Sequence, residues 1–164
     1  MKKYLFILSA GFICLLNSCS DKKEGGMSEK AKKNAAASQT VAKAFETGDT
    51  SKINDVVAAD FIDHTDRGDM GRDSLKAGII MMHTKMPDMK FTTVKELADD
   101  EYVATWYEFT GTSDGSMGMP KGPMKMNSIE VVKFKDGKGI EHWSFMETRD
   151  MMKMMPPPPA KDSM

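Results

Sequence analysis

Histidine, carboxylate and thioether side chains supply most of the chemistry this chain can offer, and their spacing limits what each can do. The three histidines, His64, His83 and His142, have no ligand-like spacing, so no histidine-based metal site is expected. His64 stands between Asp63 and Asp66, which could orient its ring so that it shares a proton with a ligand. His83 falls near the end of a predicted helix and reads as a surface or packing residue. Residues 139–147 alternate with period two: Glu141, Trp143, Phe145 and Glu147 share one face, and Ile140, His142, Ser144 and Met146 share the other. A carboxylate in an apolar cavity has its pKa raised toward the range useful for proton transfer, so the face that meets a cavity matters. Glu108 and Glu130 lie mid-strand beside apolar residues and are expected on a solvated sheet face. His142, turned away from Glu147, is expected at a subunit interface.

Sulfur is unevenly used. There are seventeen methionines, clustered at Met81-Met82, Met117-x-Met119, Met124-x-Met126 and Met151-Met152-x-Met154-Met155. Thioethers suit Cu(I), which makes a copper-holding protein one reading. They also fill irregular cavities and partner surfaces, which is the competing reading. The two cysteines, Cys14 and Cys19, both fall in the N-terminal segment. Lys2 and Lys3 precede an apolar run from Tyr4 to Leu16, too short for the roughly 20 residues that span a bilayer. The run ends in Leu16-Asn17-Ser18-Cys19, which resembles the lipobox of bacterial lipoproteins. That resemblance implies cleavage after residue 18, lipidation of Cys19 and a place in the bacterial cell envelope, at the outer membrane. The folded part is then thiol-free, which excludes disulfides, cysteine nucleophiles and cysteine zinc sites. A net charge of −1 without a Lys/Arg run argues against nucleic acid as a partner.

The remaining chain divides into a polar tether over residues 19–28, one domain over 29–155, and a tail over 156–164 that opens with four prolines. Within the domain, the spacing predicts a helix over 29–47, a short second helix to residue 57, and an extended piece over 61–64. A third helix follows over 73–85. After Pro87 the period becomes two, predicting strands over 89–97, 102–112, 126–135 and 139–147, with Asp136-Gly137 as a hairpin turn. A final helical turn closes the domain near residue 155. Helices followed by a strand meander give an α+β fold with the helices on one face of a curved antiparallel sheet.

Six short motifs occur in order over these residues. They are Phe61-Ile62-Asp63-His64-Thr65, Met86-Pro87-Asp88, Gly111-Thr112, Gly118-Met119-Pro120-x-Gly122, Asp136-Gly137-Lys138 and Glu141-His142-Trp143. In this the chain resembles the SnoaL-like branch of the NTF2-like superfamily, the polyketide and ester cyclases. The resemblance implies an NTF2-like cone, a pocket between sheet and helices, and homodimerisation through the sheet. It also implies that the face of the last strand carrying Trp143 is the pocket face. Glu147, where the family often has Asp, becomes the acid/base candidate with His64, and Trp143 is expected to be buried against the helices.

The resulting reading is a membrane-anchored lipoprotein whose domain binds a small, largely apolar molecule in its cone. Trp106, Tyr107, Trp143 and Phe145 are expected to line it, and no cofactor or metal is required. An acid/base isomerase or cyclase using Glu147 and His64, a Cu(I)-holding protein and a non-catalytic interaction domain are the alternatives.

Overall fold

The computed structural model describes residues 26–116 and 119–154, with side chains to residue 152. The predicted signal segment, Cys19, the tether up to residue 25 and the proline-rich tail lie outside the described residues.

Ser28 starts helix α1 (Glu29–Thr47) by accepting the Ala31 N–H on its Oγ at 3.0 Å. Gly48 stops it in the left-handed region, φ 71°, and donates its N–H to the Ala44 carbonyl at 2.8 Å. A side chain is disfavoured there twice over, by the backbone and because a Cβ would lie 2.7 Å from Cδ2 of His83. The buried face of α1 is built from small residues, Ala31, Ala35, Ala37, Ser38 and Ala44, so the helix lies close against the sheet.

A four-residue helix α2 (Ile53–Val56) leads directly into β1 (Val57–Thr65), which turns into the short edge strand β2 (Gly68–Met70). Helix α3 (Arg72–Lys85) follows, then β3 (Lys90–Ala98), β4 (Tyr102–Ser113), β5 (Gly122–Lys135), β6 (Lys138–Met146) and α4 (Thr148–Met154). The six strands form one sheet in the order β2-β1-β6-β5-β4-β3. All neighbours are antiparallel except β1 and β6, which run parallel. Asp136 and Gly137 both take positive φ, 52° and 78°, the geometry of the tight turn expected between β5 and β6.

Helices packed on a curved sheet are the α+β arrangement that the sequence predicts. Two details differ. Val57, predicted as the end of the second helix, instead begins β1, which runs through residues 58–60 into the predicted extended piece, because β1 is held by its parallel pairing to β6, a contact between residues far apart in sequence. Residues 68–70, predicted as loop, pair back on β1 through Thr65↔Gly68 and His64↔Asp69.

The sheet's two faces are set by β4. Val103, Thr105, Tyr107 and Phe109 are all buried, whereas Tyr102 and Trp106 are exposed, so the odd-numbered residues face the helices. The register carries this across the sheet: Thr105 opposes Glu130, Glu130 opposes Ser144, Val132 opposes His142, and His142 opposes Asp63. These residues all face inward. Trp106, Ile129 and Phe145 form one row on the outer face, with Val131, Trp143 and His64 in the next. The expected orientation of β6 is therefore reversed. Both faces of this sheet are apolar in composition, so alternation alone separated the two sets without showing which was inner.

Candidate functional site

A cavity of about 260 Å³ lies between α1 and the inner face of the sheet. Val41 and Phe45 of α1, Val56, Phe61 of β1, Leu75 of α3 and Phe91 of β3 supply apolar parts of its wall. The helix contributes because Val41 and Phe45 recur at a spacing of four and so share one side of it. A largely apolar enclosure with a few polar groups is the usual character of a small-molecule pocket.

The polar groups come from adjacent strands at matched register. His142 on β6 places Nδ1 2.8 Å from Oδ1 of Asp63 on β1 and Nε2 2.9 Å from Oε2 of Glu130 on β5. Burial works to lower the pKa of His142, but the hydrogen bonds to Asp63 and Glu130 outweigh it and bring the value up to about 9. At neutral pH the ring is therefore an imidazolium donating both N–H groups, and the trio carries a net charge of −1. Ser144 donates to the other oxygen of Glu130 at 3.0 Å. With both ring nitrogens engaged, His142 has no lone pair to give a metal. Among the described residues no group of three or more His, Cys, Asp or Glu is arranged to hold a metal ion.

Tyr107 lines the same cavity from β4, its ring edge-on to Phe91 at 5.4 Å. It is 3% exposed, and burial pushes its pKa up to about 12. Its hydroxyl lies against the side chains of Thr105 and Gln39, but neither makes a well-formed hydrogen bond to it. A buried donor left open in this way costs about 1–3 kcal/mol unless something accepts from it. Next to it, Glu96 accepts from Gln39 Nε2 at 2.6 Å and from Thr105 Oγ1 at 3.2 Å, so the neighbouring polar groups are already paired.

The residues singled out from the sequence are divided between the two faces. Tyr107 lines the cavity. Trp106 lies on the outer face, 42% exposed, with its indole N–H donated to Asn127 Oδ1 at 3.2 Å. Trp143 is also on the outer face, half-buried and stacked on the His64 ring at 4.9 Å and 20°, instead of against the helices. Phe145 is 57% exposed beside them. His64 is held on that face by Asp69 at 2.9 Å and Glu141 at 3.3 Å, and these hydrogen bonds raise its pKa. Glu147 is exposed at the end of β6, where its carbonyl accepts the Asp150 and Met151 N–H groups of α4. His64 and Glu147 therefore do not meet in one cavity.

Sequence reasoning missed Asp63, Glu130 and His142 as a unit. The available signal was strand register: His142 shares its face with Ser144, and Glu130 shares its face with Val132 and Phe134. Only the pairing of β1, β5 and β6 brings the three together.

The sequence pattern of the SnoaL-like polyketide cyclase family matches residues 35–155. Among curated proteins none matches the chain. Solved structures share its fold. IdmH from Streptomyces antibioticus is 22% identical with a TM-score of 0.62, over 74% of this chain and 96% of that one. A SnoaL-like polyketide cyclase from Agrobacterium tumefaciens is 13% identical with a TM-score of 0.64, over 73% and 95%. TsrD from Streptomyces laurentii is 17% identical with a TM-score of 0.62, over 73% and 94%.

Proposed function

The chain belongs to the SnoaL-like polyketide cyclase family, and from that premise we propose that its cavity binds a small, neutral, largely apolar molecule carrying at least one oxygen acceptor. The observation that carries this reading is an apolar enclosure with a buried hydroxyl on one strand, that of Tyr107, which has no well-formed hydrogen bond, and an anionic trio, Asp63-His142-Glu130, on neighbouring strands. Tyr107 donates to the ligand's oxygen, and the net negative charge disfavours carboxylate ligands. Native mass spectrometry of the full chain taken from cells tests this. The wild type is expected to retain a small neutral mass that the cavity-filling variant Val41→Trp loses; equal retention by both would place the ligand elsewhere.

Acid/base turnover is the second reading, favoured by the same trio. A carboxylate takes a proton from carbon beside a carbonyl, and the enolate carbon closes onto a second carbonyl. The new alkoxide then recovers that proton from the carboxylic acid. In this reading Asp63 and Glu130 take the role assigned from the sequence to Glu147, and Tyr107 polarises the carbonyl. Asp63→Asn with Glu130→Gln is expected to abolish turnover of any accepted substrate; undiminished turnover would remove the trio from the chemistry.

Two further parts of the reading concern partners. Cys19 carries the lipid anchor to the cell envelope, at the outer membrane, where several acyl chains at about 0.8 kcal/mol per buried methylene give lasting attachment. The outer sheet face, with Trp106, Ile129 and Phe145 in one exposed row, packs against a second copy of this chain. A dimer that survives Phe145→Glu in sedimentation would refute that placement.

A further inference from the structure

Six of the methionines among the described residues gather in one part of the core. Helix α3 supplies Met82, its C-terminal cap is Met86, Met89 precedes β3, Met119 lies in the loop before β5, and Met124 and Met126 are on β5. These six pack into one cluster whose only other members are Phe45, Phe91 and Phe109. The two remaining clusters of the core are built from Ala, Val, Ile, Leu and Phe and contain no methionine. A general bias toward methionine would scatter it through all three. Here it replaces Leu, Ile and Val completely in one region and not at all in the others.

The local backbone leaves room for the Met86 thioether over the sheet. Gly111 opposes Met124 in the β4–β5 ladder, and a Cβ at Gly111 would lie 3.8 Å from Sδ of Met86. Met86 therefore rests its thioether over a strand position without a side chain, directly across from Met124. Met124 and Met126 share a face of β5. Met86 and Met89 are fully buried, whereas Met82, Met119, Met124 and Met126 are half-buried, which leaves a path from solvent. Asp88 also flanks Gly111, its Oδ1 3.7 Å from that same Cβ position. Thr112 donates its hydroxyl and its N–H to Asp88 at 2.7 and 2.9 Å, which fixes the Met86-Pro87-Asp88 turn against β4.

We infer that this cluster is a binding site for one Cu(I) ion, held by thioethers drawn from Met82, Met86, Met119, Met124 and Met126. Thioethers are soft, uncharged ligands, suited to Cu(I) and poorly suited to Zn²⁺, Mg²⁺ or Ca²⁺. A monocation costs less to desolvate than a dication, which suits a site whose ligands are all uncharged. Nothing is oxidised or reduced on binding. The site adjoins the cavity through Phe45 and Phe91, which belong to both, but includes none of the His142 trio.

Competition with the chromophoric chelator bicinchoninate, with ascorbate holding copper as Cu(I), tests this on the full chain. The wild type is expected to withdraw one Cu(I) per chain. Met82→Leu/Met124→Leu/Met126→Leu keeps side-chain volume but removes three sulfurs, and is expected to weaken binding at least tenfold. Met151→Leu/Met152→Leu, which alters two exposed methionines outside the cluster, should leave it unchanged. X-ray absorption of the copper-loaded wild type should show a sulfur-only first shell and does not depend on any variant folding. No withdrawal from bicinchoninate, equal affinity in the cluster variant, or a shell dominated by nitrogen and oxygen would each overturn the inference.

Discussion

The pH dependence of stability reads the state of His142 directly. Its pKa of about 9 in the folded protein compares with an ordinary value near 6.5. A group whose folded pKa is raised contributes stability that is fully present below the unfolded pKa and is lost as pH rises through the folded one. The window is therefore pH 6.5 to 9. Each pKa unit corresponds to about 1.4 kcal/mol, so the proton on His142 contributes about 3 kcal/mol at pH 6 and almost nothing by pH 9.5. The side chain is 22% exposed, and its partners Asp63 and Glu130 are 18% and 20% exposed, so solvent screens the trio little. Urea unfolding of the wild type and of His142→Gln at intervals from pH 6 to 9.5 isolates the contribution, because groups common to both proteins cancel in the difference. The advantage of the wild type should shrink by about 3 kcal/mol across the window. A difference that is flat with pH, or an NMR titration placing the His142 ring at or below 6.5, would refute the imidazolium held between two carboxylates.

Ile79, fully buried between α1, α2 and β1, should cost about 2–5 kcal/mol on Ile79→Ala, whereas Trp143→Ala on the outer face should cost less than half as much. Denaturant unfolding of both variants compares them, and the reverse order would mean that the faces are assigned wrongly. Cys19→Ala should move the protein from the membrane to the soluble fraction; unchanged partition into detergent would refute lipidation at that residue.

Local signals in this chain were legible where the physics is local. Ser28 and Gly48 bracket α1, Asp136-Gly137 makes the hairpin, and the change from helical to two-residue period at Pro87 marks where the helices give way to the long strands. The cone fold followed from the order of six short motifs, and Tyr107 was identified as a lining residue. What could not be read is the consequence of long-range pairing. Trp106, Trp143 and Phe145 are large and apolar, and hydrophobicity alone places such residues inside. In this sheet they lie outside because β4 buries Val103, Thr105, Tyr107 and Phe109 instead. His142 looked like an interface residue until the β1–β6 pairing set it beside Asp63. The gathering of Met82, Met124 and Met126 around Met86, Met89 and Phe109 likewise depends on contacts between elements that no sequence window contains.

The account rests on the inner face of the sheet being the ligand face, and an NMR titration with 2-acetonaphthone, a neutral aromatic ketone, tests that most directly. The account predicts saturable shifts at Val41, Phe91, Tyr107 and His142, with Trp106, Trp143 and Phe145 unmoved, and at least tenfold weaker binding for Tyr107→Phe. Shifts confined to the outer-face aromatics, or unchanged affinity without the Tyr107 hydroxyl, would contradict it.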